Sequence, residues 1–456
     1  MMKYNLYLIS LFFMLISVST CAQQTAGLTL AQAWELAYQN YAGLMAKDAQ
    51  LQEAYYAKKE VQSRSLPQIQ LQLQNSYGTF AGSNGAFFPV PGVFNVNGTK
   101  SDHAGSPAAN TFGSVLADWK FFEFGRQRKT IAAAGYKVQE AQSGYDAAKL
   151  SLQAKVTSLY IGILYANSNL TWADQQVKRV KEILELTVSL ADAGLKPGAD
   201  TALAASSYLL AVASKNEWAG KYNAGQINFS EVVPGTSVLL PQQSFMHYQT
   251  LHILPDSISS NHPYLQILDQ QVRYNEVQNT LASKKAFPSL SLLGGLSARG
   301  SGIYTAGTVE KNWSAGFNNI AHNYLIGIGL TWNLSNIYTG SPEKKRTAKT
   351  LQSSKFNYDL QKLQMNTAIQ AINSRTDQQL KQVKNTRLAL AKAQQAYELY
   401  LSRYESGLIN LTELLQIQSL LQQVEKNSIE VQQEFWNLLI RRAELSGDFN
   451  YLFNQF

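Results

Sequence analysis

From Glu343 to Ser406 the chain runs for 64 residues without a glycine or a proline. Ala, Leu, Gln, Lys and Glu dominate the stretch, and all are good helix formers. At 1.5 Å per residue it makes a continuous helix of roughly 95 Å. A helix of that length cannot fold back into a compact globule. It must lie beside other helices in a bundle, a coiled coil or a tube. A second stretch, from about Lys129 to Ala193, has no proline but tolerates Gly135, Gly144 and Gly162, and it reads the same way.

These two helices belong to a repeated plan. Leu66-Pro67 followed by a strand-like run is echoed by Phe287-Pro288, 221 positions later. Trp119 and Trp332 are 213 apart, and so are Gly194-Leu195 and Gly407-Leu408, each Gly followed six residues on by an acid, Asp200 or Glu413. The shift from 221 to 213 requires a longer loop in the first half, and the segment from Gly78 to Thr111 has the Gly, Pro, Ser and Asn of one. The expected division is a leader over 1–22, a first repeat over 23–232, a linker over 233–260, a second repeat over 261–449 and a tail over 450–456. Each repeat reads helix, strand, loop, strand, long helix, turn, helix, with strands over 67–77, 112–124, 289–299 and 322–334. Leu30, Ala33, Trp34 and Ala37 give the first helix an apolar face, and it is expected to run to the stop at Pro67.

The strands alternate strictly. Ile69, Leu71, Leu73 and Tyr77 face one side and Gln68, Gln70, Gln72 and Gln74 the other. From Tyr324 onwards, Ile326, Ile328, Leu330 and Trp332 repeat the pattern against Gly327, Gly329 and Thr331. Such alternation most commonly marks a half-buried antiparallel sheet. Strands of about ten residues, aromatics near their ends (Tyr77, Trp119, Phe121, Trp332) and an uncharged polar face instead fit strands that span a membrane as part of a barrel. Four strands cannot close a barrel, and an open edge is not tolerated in lipid. Several copies must then share one.

Export is expected on separate grounds. Lys3, an apolar run from Leu6 to Val18, small residues to Ala22 and then Gln23-Gln24 have the order of a secretory signal peptide. The lone cysteine, Cys21, is either removed by cleavage after Ala22 or, if Val18-Ser19-Thr20-Cys21 acts as an imperfect lipobox, becomes a lipidated N-terminus. No later segment reaches the 18 or so apolar residues of a membrane-spanning helix. One cysteine rules out a disulfide framework and a cysteine zinc site. The net charge of +8 comes from Lys and Arg scattered among acids, not from a basic stripe, which argues against nucleic acid.

Nothing in the sequence assembles an enzyme. His103, His247, His252, His262 and His322 are dispersed, and His247 and His252 are five apart, not the four of a helical zinc pair. Phosphate-binding loops and nucleophile elbows are absent, so neither a cofactor nor a metal is expected.

With these features in order, the chain resembles the outer-membrane efflux protein family, the TolC-like channel subunits of Gram-negative bacteria. The resemblance runs from Leu28-Thr-Leu-Ala-Gln-Ala-Trp34 to about Phe449, and includes Trp119-Lys-Phe-Phe-Glu-Phe-Gly125 and Asn261-His262-Pro263. It implies an α+β membrane protein with an internal duplication. Long antiparallel helices form an α-barrel, and four strands per chain complete a twelve-stranded transmembrane β-barrel in a homotrimer. It also implies location in the outer membrane with extension into the periplasm, a periplasmic adaptor and an inner-membrane pump as partners, and outer-membrane lipid around the strands.

The resemblance further implies that the turns after the long helices form a periplasmic tip held closed by polar links. Asp200 matches the acid of the first turn and Tyr404 the tyrosine that partners it. Glu413 falls where an acid faces the pore, and Gln416 stands where a second pore acid is expected. The family's arginine after the second-half glycine is replaced by Ile409. Gly194, Leu195, Gly407 and Leu408 fall where the adaptor grips. Read without the resemblance, Asp200 and Glu413 are charges at helix N-termini, and Gly194 and Gly407 are helix C-terminal glycines. The expected function is passive exit of small molecules (drugs, toxic compounds or metal ions) as part of a tripartite efflux system. The alternatives are a duct for protein secretion and, in a different class, an exported helical scaffold without a pore.

Overall fold

A computed structural model describes residues 28–79, 107–234, 257–304 and 308–453. The leader, Cys21, most of the loop after the first strand and most of the linker lie outside them. The elements in chain order are α1 (Leu30–Asn40), α2 (Ala42–Ser63), β1 (Gln68–Thr79), β2 (Pro107–Phe122), α3 (Arg126–Asp192) and α4 (Gly198–Phe229). They continue with α5 (Pro263–Lys284), β3 (Ser289–Ser301), a 3-10 turn (Trp313–Phe317), β4 (Ala321–Thr331), α6 (Asn336–Glu405), α7 (Leu411–Ser446) and α8 (Asn450–Phe453). Helix, two strands, long helix and helix thus occur in that order twice. The chain divides into two compact units. A helical unit holds the residues up to Asp48, Gly144–Leu265 and those from Leu360, and a sheet unit holds Ala49–Ser143 and Gln266–Asp359. Among the described residues, no helix is long and apolar enough to cross a membrane.

In the helical unit, a capping box starts α1. Thr29 Oγ1 accepts from Gln32 N–H at 3.3 Å, and Gln32 Oε1 accepts from Thr29 N–H at 3.1 Å. The apolar face Leu30, Ala33, Trp34 and Ala37 is fully buried. It packs into a core with Tyr160, Phe229, Phe435, Trp436 and Leu439. Two long-range hydrogen bonds fix α1 on α3: Trp34 Nε1 donates to Thr157 Oγ1 at 3.0 Å, and the Tyr160 hydroxyl donates to Leu28 O at 2.9 Å. The final residues, expected as a tail, are docked as far as they are described. Phe449 meets Trp34 edge to face at 5.8 Å, Leu452 is buried, and the Tyr451 hydroxyl donates to Leu439 O at 2.6 Å.

The start of the second half is also tied to this core. His262 is fully buried, and its Nδ1 accepts from Tyr264 N–H at 3.2 Å, so Nε2 carries the proton and donates to Glu444 O at 2.9 Å. Burial pulls the imidazole below its ordinary 6.5, while the Glu444 carbonyl and carboxylate oppose that pull in part. The unfolded chain therefore takes up a proton that the folded chain resists. This contribution to stability is complete above about pH 6.5 and is lost as pH falls toward the lower folded value. The thermal midpoint should drop further between pH 7.5 and 5.5 in the wild type than in His262→Gln. Equal drops would show that His262 is not the titrating group.

In the sheet unit, the four strands pair antiparallel in the order β1-β2-β3-β4. The register places Leu71 opposite Val115, Val115 opposite Leu296 and Leu296 opposite Tyr324. Residues directly opposite one another share a face, so Ile69, Leu71, Leu73, Val115, Leu296, Ile326 and Ile328 lie on one side. Gln70, Gln72, Ser114, Ser297 and Asn323 lie on the other. The apolar side is exposed, with Leu73 at 76% and Ile326 at 80%. At the helix end of the sheet two indoles donate to backbone carbonyls that precede the prolines: Trp119 Nε1 to Ser65 O and Trp332 Nε1 to Ala286 O, both at 2.9 Å.

Several boundaries differ from the sequence expectation, most of the strand ends by one or two residues and a few by more. The first helix breaks at Tyr41, whose backbone is extended (ψ 111°). Asn40 Nδ2 caps the Leu36 carbonyl at 2.8 Å, and Gly43 leaves room for the Tyr41 ring, which a Cβ there would meet at 2.5 Å. β2 begins at Pro107 rather than 112, because Ala108 to Asn110 pair with Ser76 to Gly78 although they carry no alternation. β4 ends at Thr331 rather than 334, where Asn333 Oδ1 accepts from Ser335 N–H at 3.1 Å and turns the chain. α6 then starts at Asn336 and contains Pro342. Pro342 lies past the first turn, so it removes the hydrogen bond to the Tyr338 carbonyl and its ring crowds that group, a local cost that the rest of the long helix absorbs.

Candidate functional site

The two glycine turns lie in the helical unit and are built alike. At the end of α3, Gly194 N–H donates to Ala191 O and Leu195 N–H to Leu190 O, both at 2.9 Å. At the end of α6, Gly407 N–H donates to Tyr404 O at 3.0 Å and Leu408 N–H to Arg403 O at 2.9 Å. This pattern satisfies the last helical carbonyls and needs a left-handed residue. Gly194 has φ +74° and Gly407 φ +75°, with open space where a Cβ would stand, so conformation and not crowding requires glycine at both. The residues that follow, Leu195 and Leu408, are 69% and 70% exposed. Two leucines are held out at matching places of two turns.

The helices that follow start differently. Asn410 caps α7: its Oδ1 accepts from Glu413 N–H at 2.9 Å and its Nδ2 donates to Glu413 Oε1 at 2.8 Å. The carboxylate is thereby oriented at the helix start, where the dipole favours it. Glu413 and Gln416 are both exposed, three residues apart and neighbours on the helix surface. α4 starts at Gly198 behind Pro197, which offers no side-chain cap, and half-buried Asp200 stands in its first turn.

The second turn is anchored and the first is fastened to it. Tyr404 is fully buried among Ile183, Ala204, Leu411 and Leu414. Thr187 Oγ1 gives its proton to Ile183 O at 2.7 Å, so across their 3.2 Å contact the Tyr404 hydroxyl donates to Thr187. Tyr404 and Asp200, expected to pair, make no hydrogen bond with each other among the described residues. The link between the turns is Lys196. Its Nζ lies 5.4 Å from the centre of the Tyr404 ring and donates to Ile409 O at 3.2 Å. Lys196 and Ile409 are themselves 213 apart, so one turn's residue holds its counterpart in the other. Sequence reasoning passed over Lys196 and Thr187, although the repeat offset singled out the position of Lys196.

Behind the turns, α3 meets α4 and α7 through charge. Asp174 accepts from Lys178 at 2.8 Å and Lys215 at 2.6 Å, and these bonds hold its carboxyl at about 2. Glu425 of α7, only 8% exposed, accepts from Arg179 at 2.7 and 2.6 Å, from Trp172 Nε1 at 3.0 Å and from Gln176. Gln418 donates to Gln176 Oε1 at 2.7 Å beside a cavity of about 230 Å³ also lined by Ser207 and Gln422. Among the described residues no group of acids, histidines or cysteines is arranged to hold a metal ion.

A four-stranded sheet with one exposed apolar face, carried with long helices that end in glycine turns, defines the class of outer-membrane channels. The family model described as "Outer membrane efflux protein" matches residues 33–230 and 254–445, and the chain belongs to that family. It is an outer-membrane transport protein and not an enzyme. Solved structures share the fold at low identity. The CmeC outer membrane channel of Campylobacter jejuni is 16% identical over 94% of this chain and 90% of its own, with a TM-score of 0.72. VceC of Vibrio cholerae is 14% identical over 92% and 97%, with 0.75. The open state of the MtrE channel of Neisseria gonorrhoeae is 16% identical over 93% and 90%, with 0.75. A search of curated proteins finds no match.

Proposed function

We propose that three copies of this chain form one channel, each giving four strands to a twelve-stranded barrel in the outer membrane, and that the helices continue it into the periplasm. The observation that carries the proposal is the sheet: an exposed apolar face, an opposite face on which Gln, Ser and Asn predominate with Leu116 and Leu325 among them, and two edges, β1 and β4, that have no partner strand among the described residues. Lipid cannot solvate those edges. Pairing β1 of one copy with β4 of the next removes them and turns the polar faces toward a water-filled lumen.

The glycine turns are then the periplasmic end and the gate. Lys196 and Tyr404 hold the two turns of each chain together. Asp200, Glu413 and Gln416 line the mouth, where rings of carboxylates attract cations and repel anions. Leu195 and Leu408 are apolar contacts for the hairpin of a periplasmic adaptor, which connects the channel to an inner-membrane pump. The channel has no energy source of its own, and its cargo is small molecules passing outward.

Deletion of the gene in its own host tests the cargo class. The deletion strain should accumulate an amphiphilic dye and become at least about fourfold more sensitive to some toxic compounds or metal ions, with its secreted proteins unchanged. Unchanged sensitivity with the loss of one secreted protein would replace small-molecule efflux by a protein duct.

A further inference from the structure

The described residues that lead into β4, from 308 on, do not continue away from the sheet. Their 3-10 turn, Trp313–Phe317, folds back onto the apolar face at the loop end. Ala109, Thr111 and Gly300 share that face with Leu73 and Leu296 by register. They lie directly under the turn: a Cβ on Gly300 would meet Gly316 O at 2.3 Å, and one on Gly316 would meet the Ala109 Cβ at 3.2 Å. Only small residues permit this approach. Backbone hydrogen bonds fix it, with Ser301 N–H donating to Asn318 O at 2.8 Å and Gly302 N–H to Ala109 O at 2.9 Å. A polar network lies beside it, where Glu310 Oε2 accepts from the Tyr304 hydroxyl at 3.0 Å and from Asn318 Nδ2 at 3.3 Å.

What this fold-back presents is aromatic. Trp313 stacks on Tyr77 with centroids 5.4 Å apart, and Trp313, Phe317 and Ile320 are 60%, 59% and 56% exposed. Exposed Lys311 precedes Trp313 by two residues. At the opposite end of the same sheet stand Trp119 and Trp332, with the aliphatic residues and Tyr324 between. Ten residues of β2 separate Trp119 from Ala109, the partner of Tyr77. At about 3.4 Å per residue and a barrel tilt of about 40°, that is about 26 Å across the membrane, close to the height of the apolar band of outer-membrane barrels. The two aromatic groups are therefore one membrane thickness apart.

We propose that Trp313–Phe317 is a membrane anchor that lays Trp313 and Phe317 into the headgroup–acyl boundary of the outer leaflet, with Lys311 facing its lipid phosphates. The proposal rests on the reading of the sheet as membrane-spanning. An indole, apolar with one polar N–H, belongs in such a boundary. The upper aromatic girdle is thus supplied by a loop that returns to the sheet, not by the strands alone.

Nitroxide labels at Ser314→Cys and, separately, Ile328→Cys test this in the full-length protein in vesicles of phosphatidylethanolamine and phosphatidylglycerol. The unsubstituted protein, with Cys21 alone, gives the background. Label 328 should relax with dissolved oxygen and ignore a water-soluble nickel chelate. Label 314 should relax most with a nickel-chelating headgroup lipid, and Trp313→Ala with Phe317→Ala should cut that effect at least about twofold. If 328 lies in lipid while 314 responds only to aqueous nickel, the anchor is wrong and the spanning sheet stands. Shielding of 314 from oxygen and from both forms of nickel would mean a second copy covers the segment, which also overturns the anchor. If label 328 responds to aqueous nickel, the spanning reading itself fails.

Discussion

Glu425→Ala should destabilise the helical unit by about 3–5 kcal/mol, the range for removing one partner of a buried ion pair. Glu425 is the common acceptor for Arg179, Trp172 and Gln176 across the α3–α7 contact. Without it, a guanidinium, an indole N–H and an amide lose their acceptor together in a largely buried contact. Most of the cost is the stranded charge of Arg179 rather than the lost attraction. A double change, Arg179→Met with Glu425→Leu, should therefore recover most of the loss, because apolar residues of similar volume strand nothing. Urea-induced loss of helical circular dichroism measures both. A double variant no more stable than Glu425→Ala would mean that the network is held by geometry that Met and Leu cannot copy.

Trp436→Ala should cost a similar amount, about 3–5 kcal/mol. Trp436 is fully buried on α7, 5.8 Å from the Phe435 ring, within the cluster that also holds Trp34, Tyr160 and Phe229. That core draws on α1, α3, α4 and α7, so no single helix can shift to close the space without opening another contact. The cavity term is consequently near its full value. A loss under about 1 kcal/mol would show that the unit collapses around the gap and that its core is loosely packed.

The parts of the fold that depend on one local rule were legible in the sequence. A run without Gly or Pro is a helix almost wherever it packs, and Gly194 and Gly407 stand where helix ends need positive φ. Alternation marked the strands in their middles. It failed at Ala108 to Asn110, where the 3-10 turn and not the pleat dictates small residues, and at Tyr41, where one extended residue interrupts an otherwise helical pattern.

The site was less legible because its partners are far apart. Thr187 and Tyr404 are separated by 217 residues, and Arg179 and Glu425 by 246. In sequence Thr187, Arg179 and Glu425 read as ordinary polar residues on solvated helix faces, and Tyr404 stands out only through the family resemblance. Trp313 was missed for the opposite reason: it lies in a loop, and only the structure returns it to the sheet.

Single-channel recording of the purified protein in a planar lipid bilayer tests the channel and its gate most directly. The wild type should show small, cation-preferring steps, and a chain carrying Lys196→Met and Asp200→Ala should show larger ones, since the tie between the turns and the acid beside it are both gone. Equal, large steps in both proteins would contradict the gate. A folded oligomer that inserts and conducts nothing in either form would contradict the channel.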